Sequence, residues 1–498
     1  MSDTSSSTST RPAEEPENPR WGIPTYRIKP ASRLSLPPGW PLMAALVLFP
    51  LWWVLGLGSF VFPIFAIPMA LQLMKKPYIR TPPWFFLWGM FVAWSMLGGL
   101  MLNMTAPGTL AQTYAQGIDG YILRSLQYLA ATVVLLYVSN LREEDVARLK
   151  VVRWLGVLFI STLIGGFVGL AVPSLEWKSP VELLLPGPLA ARRGLVSMVH
   201  PQVAQIQDVI GAGDARPNAP FEFTNAWGNN LSILIIWFAV GYVIYAVGRK
   251  RWLGVLAMGA AVVPIIYSLN RGLWLGLMIA GVYVVVRLAI AGKPWLLAVV
   301  GGLAVAGLIV VSVSPLGAVV EGRAAAGHSD QVRSSLAQLA VDGAKASPIL
   351  GYGGTRETVG SDESIAIGST EDCPRCGNRT IGSTGHVWNV MFSQGLVGLV
   401  FFVGFFVACA WRYRKDITPI GLAGQTIVIV QLFYMFFYVG ISSTLSLVMI
   451  TIALLYRNEQ ARNAGLPDPA IPPAFSNGAT RLQPRWSNAR IAQSQATQ

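Results

Sequence analysis

Residues 387–410 read VWNVMFSQGLVGLVFFVGFFVACA, an apolar run without a charged side chain and long enough to cross a bilayer. Immediately before it, residues 315–386 are polar and Gly-rich, and before those, residues 295–314 form another apolar run. The chain thus alternates between stretches suited to hydrocarbon and stretches suited to water. In lipid a backbone must satisfy its own polar groups, so each apolar run reads as a spanning helix.

Working outward, further runs lie near 41–57, 58–74, 83–102, 121–139, 153–172, 226–247, 252–269, 272–288, 418–436 and 438–456. That gives about twelve spans, each near the ~20 residues a spanning helix needs. The expected fold class is all-α: a polytopic integral membrane protein with two long loops, 173–225 and 315–386.

Composition agrees. Hydrophobic residues make up 53% of the 498, charged residues only 12%, and the mean hydropathy is +0.51. A soluble globular domain carries about 25% charge, so that class is excluded. The formal charge of +13 does not read as a nucleic-acid footprint, because Lys and Arg sit in short loops beside apolar runs. These are Lys75, Lys76 and Arg80; Arg142, Arg148, Lys150 and Arg153; Arg249, Lys250 and Arg251; Arg287 and Lys293; Arg412, Arg414 and Lys415. Basic short loops face the cytoplasm, which puts both termini inside and both long loops outside. Residues 1–39 lack the features of a cleaved signal and read as a disordered cytoplasmic tail. Residues 40–456 are the expected membrane domain, and 457–498 a second disordered cytoplasmic tail.

Charge at the outer face points to chemistry. Arg271, in Ser268-Leu269-Asn270-Arg271-Gly272-Leu273-Trp274-Leu275-Gly276, is the one basic residue of the short outer loops. A charge at the membrane mouth is costly and reads as functional; the plain alternative is that it snorkels to headgroups. Arg333 lies beside Val332, Leu336, Leu339 and Ala340, the apolar face of a helix capped by Ser329 or Asp330 and stopped before Ser347-Pro348. Its plain alternative is a surface pair with Asp330. His386 stands at the outer end of a span, where a general base or proton relay would meet an acceptor; His328 and His200 compete with it.

Other positions carry lesser readings. Glu222 and Asn225 sit where the first long loop re-enters the membrane and read as substrate contacts, against helix capping by Thr224 or Asn225. Cys373 and Cys376, in Cys373-Pro374-Arg375-Cys376, suit a small disulfide outside the cell, or a redox-active pair as in other Pro-containing CxxC segments. A zinc site there would need two more ligands, with only His328 and His386 on offer. Cys409 reads as a small apolar residue in a span. Leu183, Leu184, Leu185 and Leu189, followed by Val196, Met198, Val203, Ile206 and Val209, suggest short interfacial helices in the first long loop.

Four stretches in order resemble the O-antigen ligase and polymerase superfamily. They are Phe223-Thr224-Asn225-Ala226; Asn270-Arg271-Gly272-Leu273-Trp274-Leu275; Arg333 followed by Ala346-Ser347-Pro348-Ile349-Leu350-Gly351-Tyr352-Gly353; and His386 followed by Gly395-Leu396-Val397-Gly398. The resemblance covers residues 221–405. Two departures stand out: Val387 follows His386 where the family has Asn, with Asn389 only at the third position, and His386 lies closer to Gly395 than the family pattern has it.

The resemblance implies a bacterial plasma-membrane glycosyltransferase with a GT-C-like fold and an extracytoplasmic site. Its donor would be a polyprenyl-diphosphate-linked glycan and its acceptor a glycan or lipid, with membrane lipids around it and no cofactor. The reaction would be metal-independent and inverting. Arg271 and Arg333 would stabilise the leaving diphosphate, Arg216, Arg323 and Asn389 would contact substrate, and His386 would position or deprotonate the acceptor. Ligase and polymerase share this donor chemistry and stay unseparated. Two other classes remain open, a flippase or transporter of lipid-linked glycan and a non-catalytic assembly protein of the cell envelope.

Overall fold

The computed structural model describes residues 36–190, 193–208, 213–295, 328–359 and 379–466, with isolated positions at 297, 298, 301, 302 and 468. The elements below all lie in the compact unit Gly39–Gln498.

The first apolar run is not one span. Pro50 belongs in the first turn of a helix, and the chain divides there into α1 (Trp40–Val47) and α2 (Phe49–Val54). A short turn leads to α3 (Val61–Met74), then α4 (Phe85–Leu97), which tightens into a 3₁₀ turn over Gly98–Met101. Next come α5 (Tyr114–Ser139) and α6 (Arg148–Ala171). The first long loop carries α7 (Pro180–Leu183), α8 (Gly187–Ala190) and α9 (Arg193–Val199). It then forms an antiparallel hairpin of β1 (Ala204–Asp208) and β2 (Gly213–Pro217), with Gln205 opposite Arg216. Short helices were expected as far as Val209; instead the helical stretch ends at Val199, Val203 lies in the bend before the hairpin and Ile206 lies on a strand.

The hairpin delivers the chain to α10 (Thr224–Phe238), whose end widens into a π-helix over Ala239–Ile244. Then follow α11 (Arg249–Tyr267), α12 (Arg271–Ile290) and α13 (His328–Ala346). The short strands β3 (Arg356–Glu357) and β4 (Thr380–Ile381) pair ahead of α14 (His386–Tyr413), α15 (Pro419–Tyr434) and α16 (Ser443–Asn463).

Among the described residues, six helical segments are long and apolar enough to cross a membrane: Tyr114–Ser139, Arg148–Ala171, Thr224–Ile244, Arg249–Tyr267, Arg271–Ile290 and His386–Tyr413. Gly58–Met74, Phe85–Met101 and Pro419–Tyr434 are shorter apolar helical segments. The run expected over 295–314 lies almost wholly outside the described residues. α11 and α12 turn Leu256, Val262, Met278 and Val282 outward, a surface suited to lipid.

The last expected span is shifted. Residues 435–442 are irregular, and α16, buried on nearly every side, starts at Ser443 and continues past 456. Residues 457–463 therefore belong to the bundle and not to a tail. Arg457 pairs with Glu143 at 3.0 Å, Arg148 pairs with the same carboxylate at 3.3 Å, and Asn458 donates to Asp416 at 2.9 Å. These contacts tie the basic end of the bundle together.

Polar bonds hold α16 in the middle. Trp237 donates to Thr451 at 3.1 Å, Asn230 donates to Ser443 at 2.9 Å, and Thr444 donates to Asn230 at 2.8 Å. Such bonds specify how helices pair where hydrophobicity alone does not. Trp88, Phe91, Tyr128 and Phe402 pack as an aromatic block between α4, α5 and α14.

Candidate functional site

At the end of the bundle opposite this ion-pair cluster lies a cavity of about 590 Å³. A small-molecule site usually measures about 300–1,000 Å³. Arg124 and Gln127 come from the middle of α5, Gln205 and Arg216 from the hairpin, and Glu222 and Asn225 from the entry to α10. Ser383, Asn389, Tyr438 and Ser442 add to the polar wall. Every one of these segments lies at the end that the charge pattern assigns to the outside.

Local structure fixes each group. Arg216 is buried and donates from Nε to the Ser268 carbonyl at 2.9 Å. Gln205 caps α10 by accepting from the Thr224 amide at 2.9 Å, and the Thr224 hydroxyl donates to the Arg216 carbonyl at 3.2 Å. Neither Thr224 nor Asn225 serves as the cap, and Asn225 faces the cavity. Asn389 donates to the Gly382 carbonyl at 3.1 Å, while its own Oδ1 is buried without a hydrogen-bond partner among the described residues. An orphaned acceptor in a cavity wall is suited to a ligand donor.

Glu222 is held from two sides, since the hydroxyls of Ser59 and Ser442 both donate to its Oε1. Burial pushes its carboxyl above the usual range, and the two hydroxyls pull the other way.

Arg124 donates from Nη1 to the Gly353 carbonyl at 3.2 Å. With Gly120 it also borders a second, more polar cavity of about 210 Å³, lined by Gln112, Gln116, Tyr121, Arg356 and Glu357. Arg356 is almost fully buried, and its guanidinium donates to the carbonyls of Leu102, Tyr352 and Thr355 at 2.8–3.1 Å. Burial and the charge of Arg124 push its pKa down to about 10.

Of the expected residues, Arg216, Glu222, Asn225 and Asn389 come together in the large cavity. His386 does not line it. Its ring lies 4.5 Å from that of Phe402, in a small adjoining cavity bounded by Asn229, Tyr438 and Thr444, and its Nε2 is buried without a partner among the described residues. Arg271 and Arg333 are also not in the large cavity's wall. Arg271 opens α12 next to Asn270, whose side chain accepts from the Leu273 amide at 3.2 Å and from the Tyr438 hydroxyl. Burial raises the Tyr438 hydroxyl, and nearby Arg333, the bond to Asn270 and nearby Arg216 oppose that shift. Tyr438 therefore joins the cavity to the two expected arginine segments.

Arg323, Cys373 and Cys376 lie outside the described residues, as does the side chain of His328. His200 bonds to Glu182 at 2.8 Å, away from the large cavity's wall. Among the described residues, no three His, Cys, Asp or Glu side chains gather into a set able to hold a metal ion. Sequence reasoning missed Arg124, Gln127 and Tyr438. Arg124 carried a usable signal, a charge inside the apolar run 121–139, whereas Arg271 was singled out as the basic residue of a short outer loop.

No model of a known protein family matches this chain, and no curated protein matches it.

Proposed function

We propose that the chain is a membrane glycosyltransferase that moves or polymerises a glycan from a polyprenyl-diphosphate carrier onto an acceptor at the extracytoplasmic face. The observation that carries this reading is the large cavity, where among the described residues two arginines, one carboxylate and several side-chain amides meet on segments that include one of the four stretches of the family resemblance, Phe223-Thr224-Asn225-Ala226. The reading includes about twelve spans and cytoplasmic termini, which the basic loops support, and a bacterial plasma membrane, which the family resemblance implies.

Loss of a glycan from a lipid diphosphate leaves negative charge on the departing oxygen. Guanidinium groups stabilise such charge by paired, charge-assisted hydrogen bonds. Arg124 and Arg216, the arginines of the cavity wall among the described residues, take that role, and Arg333, near Tyr438, and Arg271, beside Asn270, draw in the donor headgroup. Gln127, Gln205, Asn225 and Asn389 offer the donors and acceptors that sugar hydroxyls need. A single displacement by the acceptor hydroxyl inverts the anomeric carbon.

The test is glycan analysis of a deletion strain complemented with wild type, Arg124→Ala or Arg216→Ala, at matched membrane levels. The expected result is lipid-linked glycan accumulating and polymer or conjugate missing in both variants. Normal glycan in both refutes the transferase reading. Lipid-linked glycan retained on the cytoplasmic leaflet would instead identify a flippase.

A further inference from the structure

Among the described residues, the wall of the large cavity contains one carboxylate, Glu222, and no histidine. We propose that Glu222, and not His386, accepts the proton of the acceptor hydroxyl; this rests on the transferase reading above.

The two groups differ in access. His386 packs against Phe402 in the small cavity, which shares Asn229, Tyr438 and Thr444 with the large one, and its Nε2 is buried. Glu222 stands in the wall itself. Its Oε1 takes both serine hydroxyls, Ser442 at 2.9 Å, while Oε2 makes no hydrogen bond among the described residues. One oxygen is thus anchored and the other left to accept a proton. A carboxyl raised by burial comes closer to the working pH, where a general base is most effective.

The far side of Glu222 offers a way to release that proton. A void of about 10 Å³, close to the minimum for one water, is bordered by Ser59, His200, Glu222 and Ser443. His200 in turn lies 2.8 Å from Glu182 and 3.7 Å from Glu176, whose side chain is 62% exposed. Polar groups therefore lead from the cavity to the surface.

In the step, the acceptor oxygen bonds to the anomeric carbon as the bond from that carbon to the diphosphate oxygen breaks. The electron pair leaves with the diphosphate, facing Arg124 and Arg216, and the hydroxyl proton passes to Oε2 of Glu222. The charged and titratable groups facing Glu222 are Arg124, Arg216 and Tyr438 across the cavity, and His200 with Glu182 and Glu176 behind it.

The experiment uses the full chain in nanodiscs, with lipid-linked glycan and acceptor extracted from the deletion strain, and measures transfer rate against pH. Wild type is expected to lose rate on the acid side as Glu222 becomes protonated. Glu222→Gln, which keeps an acceptor for both serines, is expected to fall at least about 100-fold and to lose that acid limb. Ser442→Ala removes a bond that holds the carboxyl down, so its acid limb is expected at higher pH; this variant gives the answer if the glutamine protein fails to fold. His386→Gln is expected to keep the limb. A limb retained in Glu222→Gln, unmoved in Ser442→Ala, or abolished in His386→Gln overturns the assignment. A wild type that transfers nothing refutes the transferase reading itself, a result distinct from any of these.

Discussion

Gly353 donates its amide to the Ser393 carbonyl at 2.7 Å, so the Gly-rich turn fills the gap where α14 breaks. Gly395, at φ 69°, interrupts that helix and strands the carbonyls of Phe392 and Ser393. Tyr352 takes the first at 3.1 Å, Gly353 the second, and Leu396 donates back to Pro348 at 2.7 Å. The two glycine motifs are thus halves of one joint. Gly353→Ala would force φ +68° on an alanine and place its Cβ 1.9 Å from the Gly98 carbonyl oxygen. A loss of about 2–4 kcal/mol is expected, read as a lowered melting temperature in detergent.

Arg356 and Arg124 are neighbours with different tasks. Arg356 spends its guanidinium on backbone carbonyls, a fan that lysine cannot reproduce. Arg356→Lys is expected to lower stability by about 2–3 kcal/mol, checked by thermal unfolding.

Arg124→Lys keeps the charge but loses the fork, and its expected effect is on transfer. A drop of about 100-fold in rate with the melting temperature nearly unchanged separates it from Arg356→Lys. Arg271→Ala, outside the cavity wall, is expected to act mainly on donor affinity.

At the opposite end, Glu143 serves two buried guanidinium groups, Arg148 and Arg457. Glu143→Gln leaves both without their shared carboxylate and is expected to cost about 3 kcal/mol, seen as a lower melting temperature while transfer per folded molecule stays unchanged.

Much of this arrangement was legible in sequence. Apolar runs marked the long helices, and the spacing of Leu336 and Ala340, with Ser347-Pro348 as the stop, marked α13 to its observed end at Ala346, although the helix starts at His328 and takes in Ser329 and Asp330, the expected caps. Glu222 and Asn225 were legible because they stand where a loop re-enters a helix at one end of the bundle, and Asn389 only through the family resemblance around His386. The β-hairpin was not, because Gln205-Ile206-Gln207 is too short an alternation to set against a helical reading. Arg124 was passed over because its run reads as an ordinary span, and its place in the site depends on Gly353, far along the chain. His386 was placed at the right end, but Phe402 and Tyr438, which set its surroundings, are brought there only by tertiary packing.

The most direct test of the central claim is a reconstituted reaction in which purified full-length protein in nanodiscs meets lipid-linked glycan and acceptor extracted from the deletion strain. Glycan transfer and release of polyprenyl diphosphate are measured together. The account predicts equal amounts of both with wild type and neither with Arg124→Ala or Arg216→Ala. Neither product from folded wild type, or wild-type amounts from both variants, would contradict it.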